Sequence, residues 1–437
     1  MQSLSIIAPG VWAPSSLPSL CMNIAIVGAG VCGVTTAHEL LNDGHTVTLY
    51  EKRGTPAEEA SFAPAGLVST AWALAWAGPE HRLHAPWAPP GPGVRWRAGL
   101  DTAAWRWWRR WRREERRRSD DALLALRDLI DRGLQRQIEL TAELDLDHDR
   151  SDDLLVLLSD AREAANAQPA IDRLRGLGLE LRAVSADEAR AIEPALNPTA
   201  PLHSAVHLRG PGVANCREWT MLMRHRVARL GGALHLRTGV TGLRPDGLGW
   251  RLSASDGSEA RFDAVVLCAG VGADELLGNL GLPTPWTVLW SHSLSAGLRE
   301  PMDAPVSAVL DLKSRIAITR LGQRVRASGG ADLGGSGAGT DPASLRRLGQ
   351  VMSHWFPAAA RFSGPQASIQ SWRGALVMSD DGLPCIGASR LPGLWLNLAH
   401  GAAGWAMACG AARHLADAIT HPSTEAPAAF SPSRVGL

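Results

Sequence analysis

Several things are scarce in this sequence, and each shortage excludes something. Of 44 basic residues only Lys52 and Lys313 are lysine, and the rest are arginine. One tyrosine and five phenylalanines stand against 17 tryptophans. Codon drift in a GC-rich genome produces that skew, so a single arginine or tryptophan needs extra support before it is given a role. An excess of one charge is also missing. The 43 acidic residues balance the basic ones, which excludes a global field for nucleic acid or for an anionic membrane. Six cysteines, at 21, 32, 216, 268, 385 and 409, form no C-x-x-C pair and have no histidine at zinc spacing. They predict no metal site, and a reduced, cytoplasmic protein is the simple reading. No apolar run reaches the roughly 18 residues of a membrane span. Residues 1–21 carry no charge, lack the basic start of a secretory signal and hold three prolines. They read as a disordered extension, with translation expected to start at Met22.

An ordered pattern starts abruptly after Met22. Asn23 to Val27 is a short apolar run of the kind found in buried parallel strands. Gly28-Ala29-Gly30-Val31-Cys32-Gly33 follows, then Val34, Ala37, Leu40 and Leu41 at helical spacing up to Asp43-Gly44. A second strand through Val47, Leu49 and Tyr50 closes on Glu51. The three glycines of this G-x-G-x-x-G have separate tasks. Gly28 permits the tight turn, Gly30 lets backbone approach a pyrophosphate, and Gly33 lets helix and strand pack closely. Phosphates would then sit at the positive end of the helix dipole. Glu51 stands where a carboxylate accepts both ribose hydroxyls. The motif predicts a dinucleotide site without choosing FAD over NAD.

Farther on, residues 61–93 are rich in Ala, Pro and Gly and read as a long irregular connection. Helices are expected over 122–144, 161–178, 186–192 and 218–230, and one closing at 351–356. Strands are expected at 154–158, near 233–237 and 239–243, and from Arg261 to Cys268. An antiparallel set is expected at 307–311, 315–320 and 323–328, followed by an exposed Gly-rich loop over 329–340. A last strand, Leu394 to Leu398, leads into a helix from Gly404 to Ile419. The mixture is α/β with an inserted, more antiparallel domain.

Two further stretches suit a bound cofactor. The strand from Asp263 ends in Cys268-Ala269-Gly270, small residues that let a second backbone segment come close. Ala399-His400-Gly401-Ala402-Ala403-Gly404-Trp405 joins the last strand to the last helix and supplies a second glycine-rich helix start. Together with the first 50 residues, with Ile316-Ala317-Ile318-Thr319-Arg320 and with His400 to Gly410, these stretches resemble the D-amino-acid dehydrogenase small subunit. That subunit lies within the D-amino-acid oxidase and glycine oxidase superfamily. Ala75-Trp76-Ala77-Gly78-Pro79, Glu193-Pro194-Ala195-Leu196 and Asp381-Gly382-Leu383-Pro384 match in the expected order, so the likeness runs from about 22 to 420.

The resemblance implies a Rossmann-like FAD-binding domain with an inserted α+β substrate domain containing a largely antiparallel sheet. It places the FAD-binding domain at 22–95, 200–282 and 366–437, and the substrate domain at 96–199 and 283–365. It implies FAD, hydride transfer from an amine-bearing carbon to the flavin, and a quinone or other carrier as electron acceptor. The cofactor-binding residues it implies are Gly28, Ala29, Gly30, Gly33, Glu51, Lys52, Gly66, Val240, Ala269, Gly270, His400, Gly401, Gly404 and Trp405.

The departures from the family pattern gather at the substrate end. Its W-x-G-x-R-P-x-T-P-D-G reads Trp372-Arg373-Gly374-Ala375-Leu376-Val377-Met378-Ser379-Asp380-Asp381-Gly382 here. The arginine that clamps the substrate carboxylate in the family therefore falls on Leu376, and leucine cannot imitate a bidentate guanidinium. Drift does not explain that loss, because arginine is the favoured cation of this chain. A K-G-Y stretch becomes Trp290-Ser291-His292, a tyrosine becomes Ser314, an asparagine Pro64, and a Gly-Gly pair Asp152-Asp153. His292, Ser314 and Leu376 are the substrate-pocket candidates. An amino acid or another amine without a carboxylate both remain open as substrate, as does a paralogue that binds FAD without turnover.

Residues 95–118 hold ten arginines and five tryptophans. On a helix Trp105, Trp108 and Trp111 would share a face. Two readings stay open: a helix packing that face on the substrate domain, or peripheral attachment at the inner face of a membrane.

Overall fold

The computed structural model describes residues 21–77, 94–97, 101–117, 119–334, 339–365, 367–421 and 428–437. Nearly all of the expected extension at 1–21 lies outside them, as do Gly78 and Pro79. Strand β1 (Asn23–Val27) leads through helix α1 (Val31–Asn42) to strand β2 (Thr46–Tyr50). β1 pairs in parallel with β2 on one side and with Ala264–Leu267 on the other. All four residues of Ala264–Leu267 are buried, as are Ile24 to Val27, because helices and strands cover both faces. The six-stranded sheet runs 385–388, 394–398, 264–267, β1, β2 and 233–235. Only its 385–388 edge strand is antiparallel. Strand order reverses at β1, and such a switch point opens a crevice at the carboxyl ends of the strands.

A nine-stranded sheet forms the second layer, ordered 369–379, 286–297, 324–333, 316–321, 308–311, 150–158, 204–214 and 181–185, with 94–96 pairing 324–333. Most of its pairings are antiparallel; 150–158 with 308–311 and 94–96 with 324–333 are parallel. The helix Pro342–Trp355 covers one face, packing Leu348, Met352 and Trp355 on Leu294, Ile318 and Val325. On the opposite face Leu154, Leu158, Val206, Leu310 and Ala317 pack with Leu67 and Ala71 and with Ala167 of the helix Ala161–Gly176. The architecture is that of a Rossmann-like domain carrying an inserted α+β unit with a largely antiparallel sheet. Strands 204–214 and 369–379 lie inside the segments 200–282 and 366–437 that the sequence reading gave to the first domain, yet both pair in the nine-stranded sheet.

Three expectations need correction. Within 61–93 the structure has a helix, Thr70–Ala77, whose sequence TAWALAWA is apolar all round and so carries no period to read. The run Arg261 to Cys268 is two strands: Glu259–Phe262 belongs to a three-stranded sheet with 249–254 and 240–246, and the chain crosses at Asp263 into the parallel sheet. The glycine-rich 329–340 is not all loop, since its strand continues to Leu333; residues 335–338 lie outside the described ones. No described helix is long and apolar enough to cross a membrane.

Candidate active site

The turn between β1 and α1 forms the first wall. Gly28 has φ +102°, and a Cβ there would lie 2.7 Å from the Cys268 carbonyl oxygen. A Cβ on Gly33 would lie 1.9 Å from the Gly28 carbonyl, so helix and turn meet only because residue 33 lacks a side chain. Gly30 has more room, its nearest neighbour in that direction being Ser61 Oγ at 3.3 Å. Gly30, Val31 and Cys32 line one cavity, which places the amino end of α1 on its wall. The Val31 N–H donates to Ser61 Oγ at 3.1 Å.

Glu51 ends β2 at the same wall. Its buried carboxylate accepts the Ala29 and Arg53 N–H groups, each at 2.8 Å. Each oxygen keeps acceptor capacity for a further donor. Lys52 reaches outward to Glu59 at 3.3 Å. Val240, Ala269 and Gly270 complete this end, Gly270 with φ +53°.

The other end is built by the last strand and helix. Leu394–Leu398 runs into Ala399, His400 and the turn Gly401–Ala403, from which the helix Gly404–Thr420 starts. Ala399 and Gly401 both have positive φ, +60° and +58°. A β-bridge ties His400 to Met378, and it draws strand 369–379, with Leu376, to the cavity. Trp405 Nε1 donates to the Ala214 carbonyl at 2.9 Å. Burial lowers the His400 pKa to about 4, so the ring is neutral near pH 7. Its Nδ1 lies 3.9 Å from Cys32 Sγ, and burial raises that thiol to about 12, leaving it protonated.

The cavity is continuous from Gly28 and Glu51 to Leu376 and His400, with about 1420 Å³ of empty space counting its mouth. Its lining runs from one glycine-rich helix start to a second, the arrangement an extended dinucleotide needs at its two ends. Two buried polar atoms on its wall, His400 Nε2 and Asn397 Oδ1, have no hydrogen-bond partner among the described residues. Orphaned acceptors and donors of this kind call for a polar ligand. The glycine turn, the helix starts and these atoms together fit FAD.

Of the residues expected to hold a cofactor, Gly28, Gly30, Glu51, Lys52, Val240, Ala269, Gly270, His400, Gly401, Gly404 and Trp405 line this cavity. Ala29 and Gly33 support the turn from behind. Gly66 is not on the wall; with φ +84° it packs against strand 204–214, where a Cβ would lie 3.0 Å from the Ala214 carbonyl. Asn397, Ser61 and Cys216 line the cavity without having been singled out. The available signal for Asn397 was an amide inside the apolar run Leu394-Trp395-Leu396-Asn397-Leu398.

The three substrate-pocket candidates separate. Only Leu376 reaches the cavity. His292 pairs with Arg373 across the strands, three positions along from Leu376 and so on the opposite face. There it is buried, its Nε2 3.2 Å from Asp332, a carboxylate that Arg95 also holds at 2.7 Å. Ser314 sits in the hairpin after 308–311 and donates to Asp311 at 2.6 Å. Neither lines the cavity.

The helix Thr102–Arg117 turns Trp107 and Trp111, four residues apart, into a core with Leu289, Leu333 and Met378. Trp105 and Trp108 are half-buried beside Trp96, with Trp96 and Trp105 centroids 4.8 Å apart. The expected face of 105, 108 and 111 is therefore replaced by one centred on 107 and 111. The consecutive pair Trp107-Trp108 had made two adjacent stripes readable.

Comparison with known proteins agrees with this geometry. Residues 23–418 match the family model described as FAD dependent oxidoreductase. The chain is similar to D-amino acid dehydrogenase 2 of Ralstonia nicotianae, at 33% identity over 411 residues, covering 91% of this chain and 96% of that one. It is 30% identical over 418 residues to D-amino acid dehydrogenase of Agrobacterium fabrum, again covering 91% and 96%. In fold it resembles glycine oxidase from Geobacillus kaustophilus, with TM-score 0.72 and 21% identity over 94% of this chain and 98% of that one.

Proposed function

The chain belongs to the FAD-dependent oxidoreductase family, and from that premise we propose that it oxidatively deaminates a D-amino acid or a related amine and passes the electrons to a quinone or another carrier. The relatives named D-amino acid dehydrogenase support the substrate class, since they align over almost their whole length. The observation that carries the reading is the single cavity joining the glycine turn and Glu51 to Leu376 and His400.

In this reading Gly28, Gly30 and Gly33 admit a pyrophosphate to the amino end of α1. Glu51 accepts the ribose hydroxyls with the capacity left by Ala29 and Arg53. Ala269 and Gly270 would let backbone approach the dinucleotide, and the turn from Gly401 to Gly404 would hold the flavin by its N–H groups. Bound flavin supplies a hydride acceptor for the carbon that carries the amine. Neutral His400 can donate from one ring nitrogen and accept at the other, and it adds no positive charge. The substrate amine arrives unprotonated, so the chain need supply no strong base. The imine product hydrolyses in water.

The domain division proposed here follows sheet membership, with strands 204–214 and 369–379 assigned to the substrate side. Peripheral attachment to a membrane would use Arg106, Arg109 and Arg113, which lie on the exposed side of the Trp107 helix. Anaerobic addition of D-amino acids and simple amines to the FAD-loaded protein tests the activity. Loss of the flavin absorption band is expected with at least one of them, and an unchanged band throughout contradicts the reading.

A further inference from the structure

A cation beside the cofactor cavity comes from the nine-stranded sheet. Arg326 pairs across the strands with Thr319, and both side chains reach the loop that follows β2. Arg326 Nη1 donates to the Pro64 carbonyl at 2.8 Å, and Thr319 Oγ1 donates to the Ala65 carbonyl at 2.9 Å. Pro64 lines the cavity, whereas Arg326 and Thr319 stand behind it. The same loop is tied to the last helix. The Gly66 carbonyl accepts the Ala214 N–H at 2.9 Å, and the Ala214 carbonyl accepts Trp405 Nε1 at 2.9 Å. Pro64 therefore stands at the end where the turn from His400 to Trp405 would hold the flavin ring.

The Arg326 charge is poorly compensated. The side chain keeps some exposed surface, but its Nε is buried and has no acceptor among the described residues. Burial first, then the like charges of Arg324 and Arg217, pull its pKa down to about 10, so it is still protonated near pH 7. The neighbouring Cys216 thiol is held above its usual range by burial and supplies no negative charge. Asp149 is the carboxylate felt there, the weakest of these influences, and it also accepts from Asn215 Nδ2 at 3.1 Å. A guanidinium stripped of much of its water and without a paired carboxylate is costly, and a negative charge arriving nearby offsets that cost. The rest of the wall offers no such cation. Lys52 is the one basic side chain among the described lining residues, and it pairs with Glu59. Glu51, Glu58 and Glu59 line the wall as acids, and His400 is neutral.

We infer that Arg326 is a positioning residue for the flavin: it fixes the Pro64 wall to the nine-stranded sheet and supplies, through that wall, the positive charge that favours the reduced cofactor. The inference rests on the FAD-binding part of the reading above. A hydride carries two electrons and one proton, so the ring that accepts it gains one negative charge. Among protein atoms a unit charge acts across several ångströms without contact, far more strongly than in water. Arg326 thus raises the potential of the bound flavin without touching it, and the electrons then leave to the quinone or carrier.

The test is equilibrium reduction of the FAD-loaded protein against reference dyes, with a sulfite titration beside it. Sulfite adds to oxidised flavin and leaves it negatively charged, so it reads the same countercharge without any amine. Arg326→Gln should shift the reduction equilibrium roughly tenfold toward the oxidised form, about 30 mV for a two-electron couple, and weaken sulfite binding by a similar factor. Arg326→Lys keeps the charge and should stay within about threefold of the unaltered protein on both readouts near pH 6.5. Unchanged values in Arg326→Gln overturn the inference, and so does a Lys variant that behaves like the Gln variant. If Arg326→Gln does not hold FAD, the Lys variant decides alone. Its gap from the unaltered protein should widen as pH rises from about 6.5 to about 9, because lysine loses its proton roughly two units or more below arginine. A gap that stays constant then overturns the inference. Neither readout uses a substrate, so a protein that shows both shifts but is reduced by no D-amino acid or simple amine keeps the inference and loses the deamination reading.

Discussion

The two ends of one cavity are made in opposite ways. At the nucleotide end, backbone does the work: a turn with no room for side chains at Gly28 and Gly33, a helix start, and a carboxylate already holding two N–H groups. At the substrate end, side chains do it, and those around Leu376 are apolar. Backbone geometry admits few substitutions, so the first end keeps its pattern while the rest of the chain drifts. A side-chain wall can be rebuilt one residue at a time. The comparison teaches that cofactor and substrate are to be inferred from different kinds of observation.

The strongest test of this contrast is Gly33→Ala. Its methyl would have to displace the Gly28 carbonyl, so the turn itself fails. The expected outcome is loss of measurable FAD binding and a destabilisation of about 3 kcal/mol or more, read by flavin fluorescence and chemical denaturation. Retention of both would break the account of the nucleotide end. Glu51→Ala comes next. It leaves the Ala29 and Arg53 N–H groups without their acceptor, at about 1–3 kcal/mol for the buried Ala29 donor and less for Arg53, and weakens FAD binding about tenfold or more.

Leu376→Ala bears on the other end alone. Removing part of a half-buried side chain should cost about 1–2 kcal/mol in stability and leave the FAD dissociation constant within about twofold. A large loss of FAD affinity would show that the two ends are not separable.

Acid stability gives a smaller effect with a definite sign. Burial lowers the pKa of His45, His148, His400 and His414. Each binds a proton more readily unfolded, so its contribution is complete above pH ~6.5 and is lost as pH falls toward the folded value. For His400 that window runs down to about 4. Melting temperature should therefore fall as pH drops from 6.5 to 4, and less steeply in His400→Gln. An identical slope in that variant would mean that His400 is not buried against the cavity. The smallest effect is expected for His292→Asn, which lies on the far face with Asp332. It should lower stability while leaving substrate-dependent flavin reduction within about twofold.

The sequence carries much of this, unevenly. The nucleotide turn was legible because its geometry demands glycine at fixed spacing, and helices such as Asp120–Glu143 were legible from their apolar period. Strands 204–214, 286–297 and 369–379 were not anticipated, although they carry much of the nine-stranded sheet. Their serines and glycines, as in Trp286-Thr287-Val288-Leu289-Trp290-Ser291-His292-Ser293, blur the apolar alternation that marks a strand. That gap had a consequence. Without the register that pairs Leu289 with Leu376 and His292 with Arg373, His292 and Leu376 looked like neighbours in one pocket. Strand parity separates them onto opposite faces.

The most direct measurement of the central claim is a titration of the purified protein with FAD, followed by flavin fluorescence and the visible spectrum. One FAD per chain, with a protein-bound flavin band that Gly33→Ala abolishes and Leu376→Ala preserves, is the predicted result. A colourless protein that takes up no FAD would contradict it.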